Sequence, residues 1–328
     1  METLYHPEAL SIAEDIKNMK IRGAGRVARA AVKALLFTAR HSKATNTDSL
    51  IKELESTAKM LMETRPTAVS LPNGLRYVLK RVSDAKGYAE STDAIRKITS
   101  NAALQFIAES KRAVERIGEI GARRIGNGDT ILTHCNSEAA ISIIATAWRQ
   151  GKDIRVFATE TRPRLQGRTT VRRLGREGIP TTLIIDSAAR HFMNKVDKVV
   201  VGSDAVAANG AVVNKIGTSM IALAAKEART PFYVAAETYK FSPATTLGEL
   251  IRIEERDASE VIPKGTLQSL KNVTVRNPSF DVTPPQYIDL IITEKGVIPP
   301  QYAISVIQQE FGWALFEEGE RPITPEDE

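Results

Sequence analysis

The sequence predicts an α/β protein in which an all-helical N-terminal domain, residues 1–125, precedes a wound parallel sheet, residues 126–328. Three observations carry this reading. Apolar residues recur at helical spacing through the first part without a convincing strand. Gly126-Asn127-Gly128-Asp129 then breaks that pattern. After it, short β-rich runs alternate with amphipathic stretches. At 328 residues, 42% hydrophobic and 26% charged, the chain is long enough to bury a substantial core and to divide into two domains.

Taken in order, Ser11 to Lys20 reads as a helix, and a second follows in which Val27, Ala28, Ala31, Val32, Leu35, Leu36 and Ala39 repeat at three and four. Thr47-Asp48 is placed at the cap of a third helix. Arg65-Pro66 and Leu71-Pro72-Asn73-Gly74 punctuate the region, and Ser91-Thr92-Asp93 opens a long helix to Ile125 striped by Leu104, Ile107, Val114 and Ile117. These stripes are expected to pack the core. Between the first two helices, Gly23-Ala24-Gly25-Arg26-Val27-Ala28 has the spacing of the dinucleotide fingerprint. That fingerprint needs a strand before it and an acidic residue about 20 positions later, and here helices flank it on both sides. NAD is therefore not expected. Small residues opening a helix beside Arg22 and Arg26 fit a phosphate cradle better, with a tight helix–helix contact as the alternative.

The β-rich runs are Thr130 to Thr133, Ile154 to Ala158, Thr182 to Ile185, Lys198 to Val201 and Phe232 to Ala235. A further strand, Leu290 to Thr293, and a helix near Ala303 to Phe311 close the domain, and Thr324 to Glu328 reads as a loose acidic tail. Cys135, the chain's single cysteine, sits in Thr133-His134-Cys135-Asn136-Ser137, between the first run and an amphipathic stretch from Glu138 to Gln150. A strand-to-helix turn in a parallel sheet lies at the carboxyl edge, where ligand crevices form. The helix N-terminus there is expected to lower the thiol's pKa toward a thiolate. The alternative is a small buried hydrophobe. Asp204 follows the run ending at Val201 and is placed in the same crevice, where burial would suit it to proton transfer unless it serves an Asx turn or a cap. Asn214 and Lys215 are expected to begin the next helix, with an amide and an ammonium able to hold hydroxyl and phosphate groups.

The net charge of +6 is modest for this length and interleaved with acids, as in Lys52-Glu53-Leu54-Glu55, so no nucleic-acid partner is expected. A pocket of converging cations for a small phosphorylated ligand remains compatible with it. One cysteine fits a reducing compartment, no apolar run reaches membrane-spanning length, and Met1-Glu2-Thr3-Leu4 lacks a basic-then-apolar targeting pattern. A cytoplasmic protein is expected. His6, His41, His134 and His191 lack metal-ligand spacing, so no metal is expected and His134 reads as structural.

Taken together, Arg22-Gly23-Ala24-Gly25-Arg26, Arg65-Pro66-Thr67-Ala68-Val69, His134-Cys135-Asn136-Ser137, Glu160-Thr161-Arg162-Pro163 with Gln166-Gly167, and Asp204 through Lys215 resemble, in this order, the sugar-phosphate isomerases related to translation initiation factor 2B subunits. Asp186-Ser187-Ala188-Ala189-Arg190 and Ala236-Glu237-Thr238-Tyr239-Lys240-Phe241 make the resemblance strongest to the archaeal ribose-1,5-bisphosphate isomerase group. The resemblance implies a helical domain followed by a Rossmann-like one, with substrate between them and no cofactor. It implies Cys135 as proton acceptor and Asp204 as proton donor. Substrate contacts are implied for Arg22, Gly23, Ala24, Gly25, Arg65, Ser137, Glu138, Ala139, Asn214, Lys215 and Lys240. It further implies conversion of ribose 1,5-bisphosphate to ribulose 1,5-bisphosphate in nucleoside degradation, AMP as activator, and a homohexamer built as a trimer of dimers. Methylthioribose-1-phosphate isomerase, or a non-catalytic regulatory subunit of the initiation factor, are the alternatives.

Overall fold

The structure is a computed structural model that describes residues 5–312 apart from 88, 90 and 270; the acidic tail lies outside the described residues. The chain packs as two units, residues 1–113 and 114–328, so the division falls inside the longest helix, whereas the sequence sets the boundary after it at 125/126.

The first unit is built from α1 (Pro7–Lys17), α2 (Ala24–His41), α3 (Thr47–Thr64), α4 (Ser70–Ala85) and the first part of α5 (Thr92–Ala122). Every member of the expected α2 stripe, from Val27 to Ala39, is buried. Three local expectations are corrected. The α3 cap is Asn46, whose Oδ1 accepts the Ser49 N–H at 2.8 Å, leaving Thr47 and Asp48 inside the first turn. Leu71-Pro72-Asn73-Gly74 does not interrupt the chain but lies in the first turns of α4. Proline is tolerated there because first-turn N–H groups have no intrahelical acceptor to lose. On α5, Leu104 is 47% exposed, and the buried stripe runs through Ala103, Phe106, Ser110, Ala113 and Ile117.

The second unit holds β1 (Thr130–Thr133), α6 (Glu138–Arg149), β2 (Arg155–Thr159), α7 (Gly167–Arg176), β3 (Thr181–Ile184), α8 (Ala189–Met193), β4 (Lys198–Gly202), β5 (Ala205–Val206), β6 (Val212–Lys215), α9 (Thr218–Ala228), β7 (Phe232–Ala235), α10 (Lys264–Ser269), β8 (Phe280–Thr283), β9 (Leu290–Thr293), β10 (Gly296–Ile298) and α11 (Ala303–Phe311). Seven strands form one sheet in the order β10-β9-β7-β4-β1-β2-β3, parallel except for β10. All six strands expected from sequence are in it. Alternation along each strand divides the core between the two faces: Leu132, Val199, Val201, Val234 and Ile291 pack with α8, α9 and α11, while Ile131, Val200, Ala235 and Ile292 pack with α6 and the end of α5.

Two features position the site. The chain winds outward from β1 through β2 to β3, then returns to lay β4 on the other side of β1, so the sheet's switch point lies between β1 and β4. A second, antiparallel sheet, β5-β6-β8, was not anticipated, and it absorbs the segment assigned to a helix start: Asn214 and Lys215 end β6, and α9 begins at Thr218. Among the described residues no helix is long and apolar enough to cross a membrane.

Candidate active site

The site is assembled on the carboxyl ends of β1, β2, β3 and β4. Just past β1, His134 is buried, with Nε2 2.9 Å from the Ile216 carbonyl and Nδ1 2.6 Å from Thr159 Oγ1. A carbonyl only accepts, so Nε2 carries the proton and Nδ1 accepts the Thr159 hydroxyl. Burial pushes the ring's pKa down to about 4, against the pull of Asp186, and His134 is a neutral strut joining the ends of β1, β2 and β6, as expected.

Cys135 follows at φ +66°, the left-handed region that L-residues other than asparagine and aspartate seldom occupy. The surroundings fix it there. Its N–H donates to Thr161 Oγ1 at 2.9 Å and its carbonyl accepts the Thr170 hydroxyl at 2.6 Å. Thr161 is itself held: its N–H and that of Arg162 each donate to an Asp186 carboxylate oxygen at 2.7 Å. Strain retained under this many constraints is a feature of functional turns. The thiol does not behave as its place before a helix led us to expect. Burial pushes it up to about 11, with Asp204 and Asp186 adding to the rise and the Lys215 ammonium and the Asn136 N–H opposing it. Cys135 is a neutral thiol in this structure.

Ser137 caps α6, its Oγ accepting the Ala140 N–H at 3.2 Å, so Glu138 and Ala139 begin the helix whose first-turn N–H groups face outward from its positive end. A Cβ placed on Gly202 would lie 2.2 Å from Ser137 Oγ, so glycine at the end of β4 is what lets the cap approach. Two residues on, Asp204 is partly buried, and its N–H donates to the Val213 carbonyl at 2.9 Å. Because β4 pairs directly with β1, Asp204 and Cys135 emerge from adjacent strands on the two sides of the switch point.

Lys215 projects from the end of β6, its Nζ donating to the Ser279 carbonyl at 2.7 Å and lying 4.8 Å from the Phe280 ring centroid. Asn214 beside it is buried and donates from Nδ2 to Thr218 Oγ1 at 3.0 Å. Lys240 sits in a short turn beyond β7, buried and ion-paired with Glu237 at 2.5 Å, while the Tyr239 hydroxyl donates to the other Glu237 oxygen at 3.0 Å. Cys135, Asp204 and Lys215 thus share one electrostatic environment, whereas Lys240 is held by its own carboxylate partner. Among the described residues no group of three or more His, Cys, Asp or Glu is arranged to hold a metal ion.

In the helical unit, Gly23 is the residue before α2, at φ +87° with no side-chain cap, and it is exposed together with Arg22. Ala24 and Gly25 form the first turn, and the Ser70 hydroxyl donates to the Ala24 carbonyl at 3.0 Å, tying the start of α4 to the start of α2. Arg65 ends α3. The sequence reading assigned no role to Thr161, Thr170 or Asp186. The signal available for Thr161 and Asp186 was position, since each follows a strand at the carboxyl edge.

Residues 20–300 match the profile of the initiation factor 2 subunit family. A ribose 1,5-bisphosphate isomerase of Thermococcus kodakarensis is 57% identical over 309 residues, covering 94% of this chain and 96% of the relative. A methylthioribose-1-phosphate isomerase of Geobacter metallireducens is 42% identical over 304 residues, covering 89% and 87%. The crystal structure of a translation initiation factor eIF-2B of Pyrococcus horikoshii superposes with a TM-score of 0.77 at 32% identity, covering 91% of this chain and 99% of that one. The match spans the helical unit, the strained cysteine turn and the β6 corner alike, and the chain belongs to the initiation factor 2 subunit family.

Proposed function

We propose that this chain is an aldose–ketose isomerase that converts ribose 1,5-bisphosphate to ribulose 1,5-bisphosphate, with Asp204 as the acid and Cys135 as the base. The observation that carries the reading is the placement of a carboxyl and a thiol at the ends of adjacent strands across the switch point, with the Lys215 ammonium within electrostatic reach. A regulatory scaffold has no use for that pair. The relatives' names support the substrate.

A sugar phosphorylated on its anomeric carbon cannot open to a free aldehyde, so the ring oxygen must be protonated as the C2 proton leaves. Asp204 gives its proton to the ring oxygen as the bond from that oxygen to C1 breaks. The Cys135 thiolate takes the C2 proton, and the C2–H electron pair becomes the C1–C2 double bond of an enol. The thiol then returns a proton to C1, and the C2 hydroxyl proton passes to the Asp204 carboxylate as the ketone forms. Both residues end as they began. This scheme fits a thiol that burial and the nearby Asp204 both push up: placing a proton on the Asp204 carboxyl removes the charge that opposes the thiolate.

Phosphate contacts are assigned to Lys215, to the first turn of α6 at Ser137, Glu138 and Ala139, and to Arg22, Gly23, Ala24, Gly25 and Arg65. Asn214 is assigned to a sugar hydroxyl. Lys240 joins them by exchanging Glu237 for a phosphate. By the same resemblance we assign a homohexamer, activation by AMP and a place in nucleoside degradation. The purified protein should be incubated with ribose 1,5-bisphosphate and, separately, with methylthioribose 1-phosphate. Preferred turnover of the bisphosphate is expected, with solvent deuterium entering at C1 to the extent that the thiol exchanges its proton before returning it. Preference for the methylthio sugar would overturn the substrate, and near-normal turnover by Cys135→Ser would overturn the proton-transfer scheme.

A further inference from the structure

We propose that Asp281 is the positioning residue for Asn214 and Lys215, a role that rests on the substrate contacts assigned above. Asp281 lies on β8 directly opposite Asn214 in the β6–β8 pair. Its Oδ2 accepts the N–H of Gly217 at 2.7 Å and of Ser219 at 3.1 Å. Gly217 is the residue before α9 and has no side chain with which to cap the helix; at φ +101°, with a Cβ there only 3.2 Å from His134 Cε1, the position favours glycine on both counts. The cap therefore comes from another strand. Around it the β6–α9 corner is held on every side: the Ile216 N–H donates to the Ser279 carbonyl at 3.1 Å, the Ile216 carbonyl accepts from His134, and Lys215 Nζ donates to the same Ser279 carbonyl. One carboxylate thus ties the helix to β8, next to Ser279 and Phe280, the two residues against which Lys215 lies.

A serine or asparagine would suffice for capping alone. Instead the position carries a carboxyl whose Oδ1 is buried without a hydrogen-bond partner, and burial pushes its pKa up to about 6. Protein at neutral pH keeps this group charged against the preference of its surroundings. Among the described residues few charges face it. Lys215 on β6 is the cation, the first turn of α9 supplies N–H groups, and the neighbouring His134 is neutral. On α9, Lys226 and Glu227 lie about two turns away from the cap. Retaining a costly charge beside the corner that presents Lys215 fits a role in placing that ammonium, since misplacing a binding group by about 1 Å costs up to about 10²-fold.

The test compares wild-type protein with Asp281→Asn and Asp281→Ala. In Asp281→Asn the melting temperature at neutral pH should be unchanged or higher, while kcat/KM for ribose 1,5-bisphosphate falls about tenfold or more, mainly through KM. Asp281→Ala should fall further. The wild-type advantage over Asp281→Asn should shrink as pH is lowered below about 6, where the wild-type carboxyl is also neutral. Stabilisation by inorganic phosphate, read as a thermal shift, should be smaller in Asp281→Asn and needs no turnover. If Asp281→Ala does not fold, the Asn variant decides. A lower melting temperature with unchanged KM and unchanged phosphate shift would make Asp281 a structural cap only and overturn the proposal. Inactivity of the wild-type protein would instead count against the substrate, leaving the phosphate shift to judge Asp281.

Discussion

Two helix N-termini in this molecule start from the same device and end differently. At α2, Gly23 turns the chain at φ +87°, no side chain caps the helix, and a Cβ at Gly23 would meet nothing within 4 Å. At α6, Cys135 turns the chain at φ +66°, Ser137 caps the helix, and Thr161, Thr170 and Asp186 hold the turn from behind. The first is open and uses glycine, which adopts the conformation at little cost. The second forces a side-chain-bearing residue into it and surrounds it with hydrogen bonds. An open N-terminus suits the binding of an anion whose exact placement matters little, whereas an over-determined one suits a group that must meet a reacting atom. The contrast teaches that changes at the turn should be read mainly in kcat and changes at the cradle mainly in KM.

The largest effect expected is at the turn and its partner strand. Cys135→Ser and Asp204→Asn should each lower kcat by about 10²-fold to 10⁴-fold while still binding the bisphosphate, and the double variant should be little worse than either single one. Calorimetric binding beside coupled product detection measures both halves. Near-normal turnover by either variant removes its assigned role. Next comes the cradle's side of the comparison: Arg65→Ala should cost about 2 to 3 kcal/mol in kcat/KM, carried by KM, with the melting temperature unchanged. A fall in melting temperature in step with activity would make Arg65 a structural residue before Pro66.

How much of this was legible in the sequence depends on how local each signal is. The parallel strands were readable because apolar runs bounded by turn residues are self-contained, and the closing helix from Ala303 to Phe311 is found with those ends. The β5-β6-β8 sheet was not, because β5 has two residues and Val212 to Lys215 pairs with a strand more than sixty positions later. Asn-Lys after two valines reads as a helix entry when that partner is unseen. Cys135 and Asp204 stood out by position. The neutral state of the thiol did not, since desolvation by the surrounding fold outweighs the local helix end. Asp281 was invisible for the same reason: its hydrogen-bond partners, Gly217 and Ser219, are distant in sequence.

Two smaller effects sharpen the contrast. Gly202→Ala puts a Cβ 2.2 Å from Ser137 Oγ, so the cap must move, and about 1 to 3 kcal/mol of stability together with a drop in kcat is expected. Thermal melting and steady-state kinetics measure the two components, and a change confined to KM would contradict the division proposed. Gly23→Ala meets no steric neighbour, so its cost is the backbone's alone, about 1 kcal/mol, accompanied by a few-fold rise in KM. A fall in kcat there would erase the distinction between the two N-termini.

The central claim, that Cys135 and Asp204 act as an acid–base pair, is tested most directly by titrating the thiol. Because Cys135 is the chain's single cysteine, its ultraviolet thiolate absorbance, corrected with Cys135→Ser, has one source. The wild-type thiol should ionise far above the ordinary cysteine range, near 11, and Asp204→Asn should ionise at lower pH because one opposing charge is gone, while remaining raised because burial, the larger cause, is unchanged. An unchanged midpoint in Asp204→Asn would show that the two groups do not sense each other, and would contradict the acid–base pair.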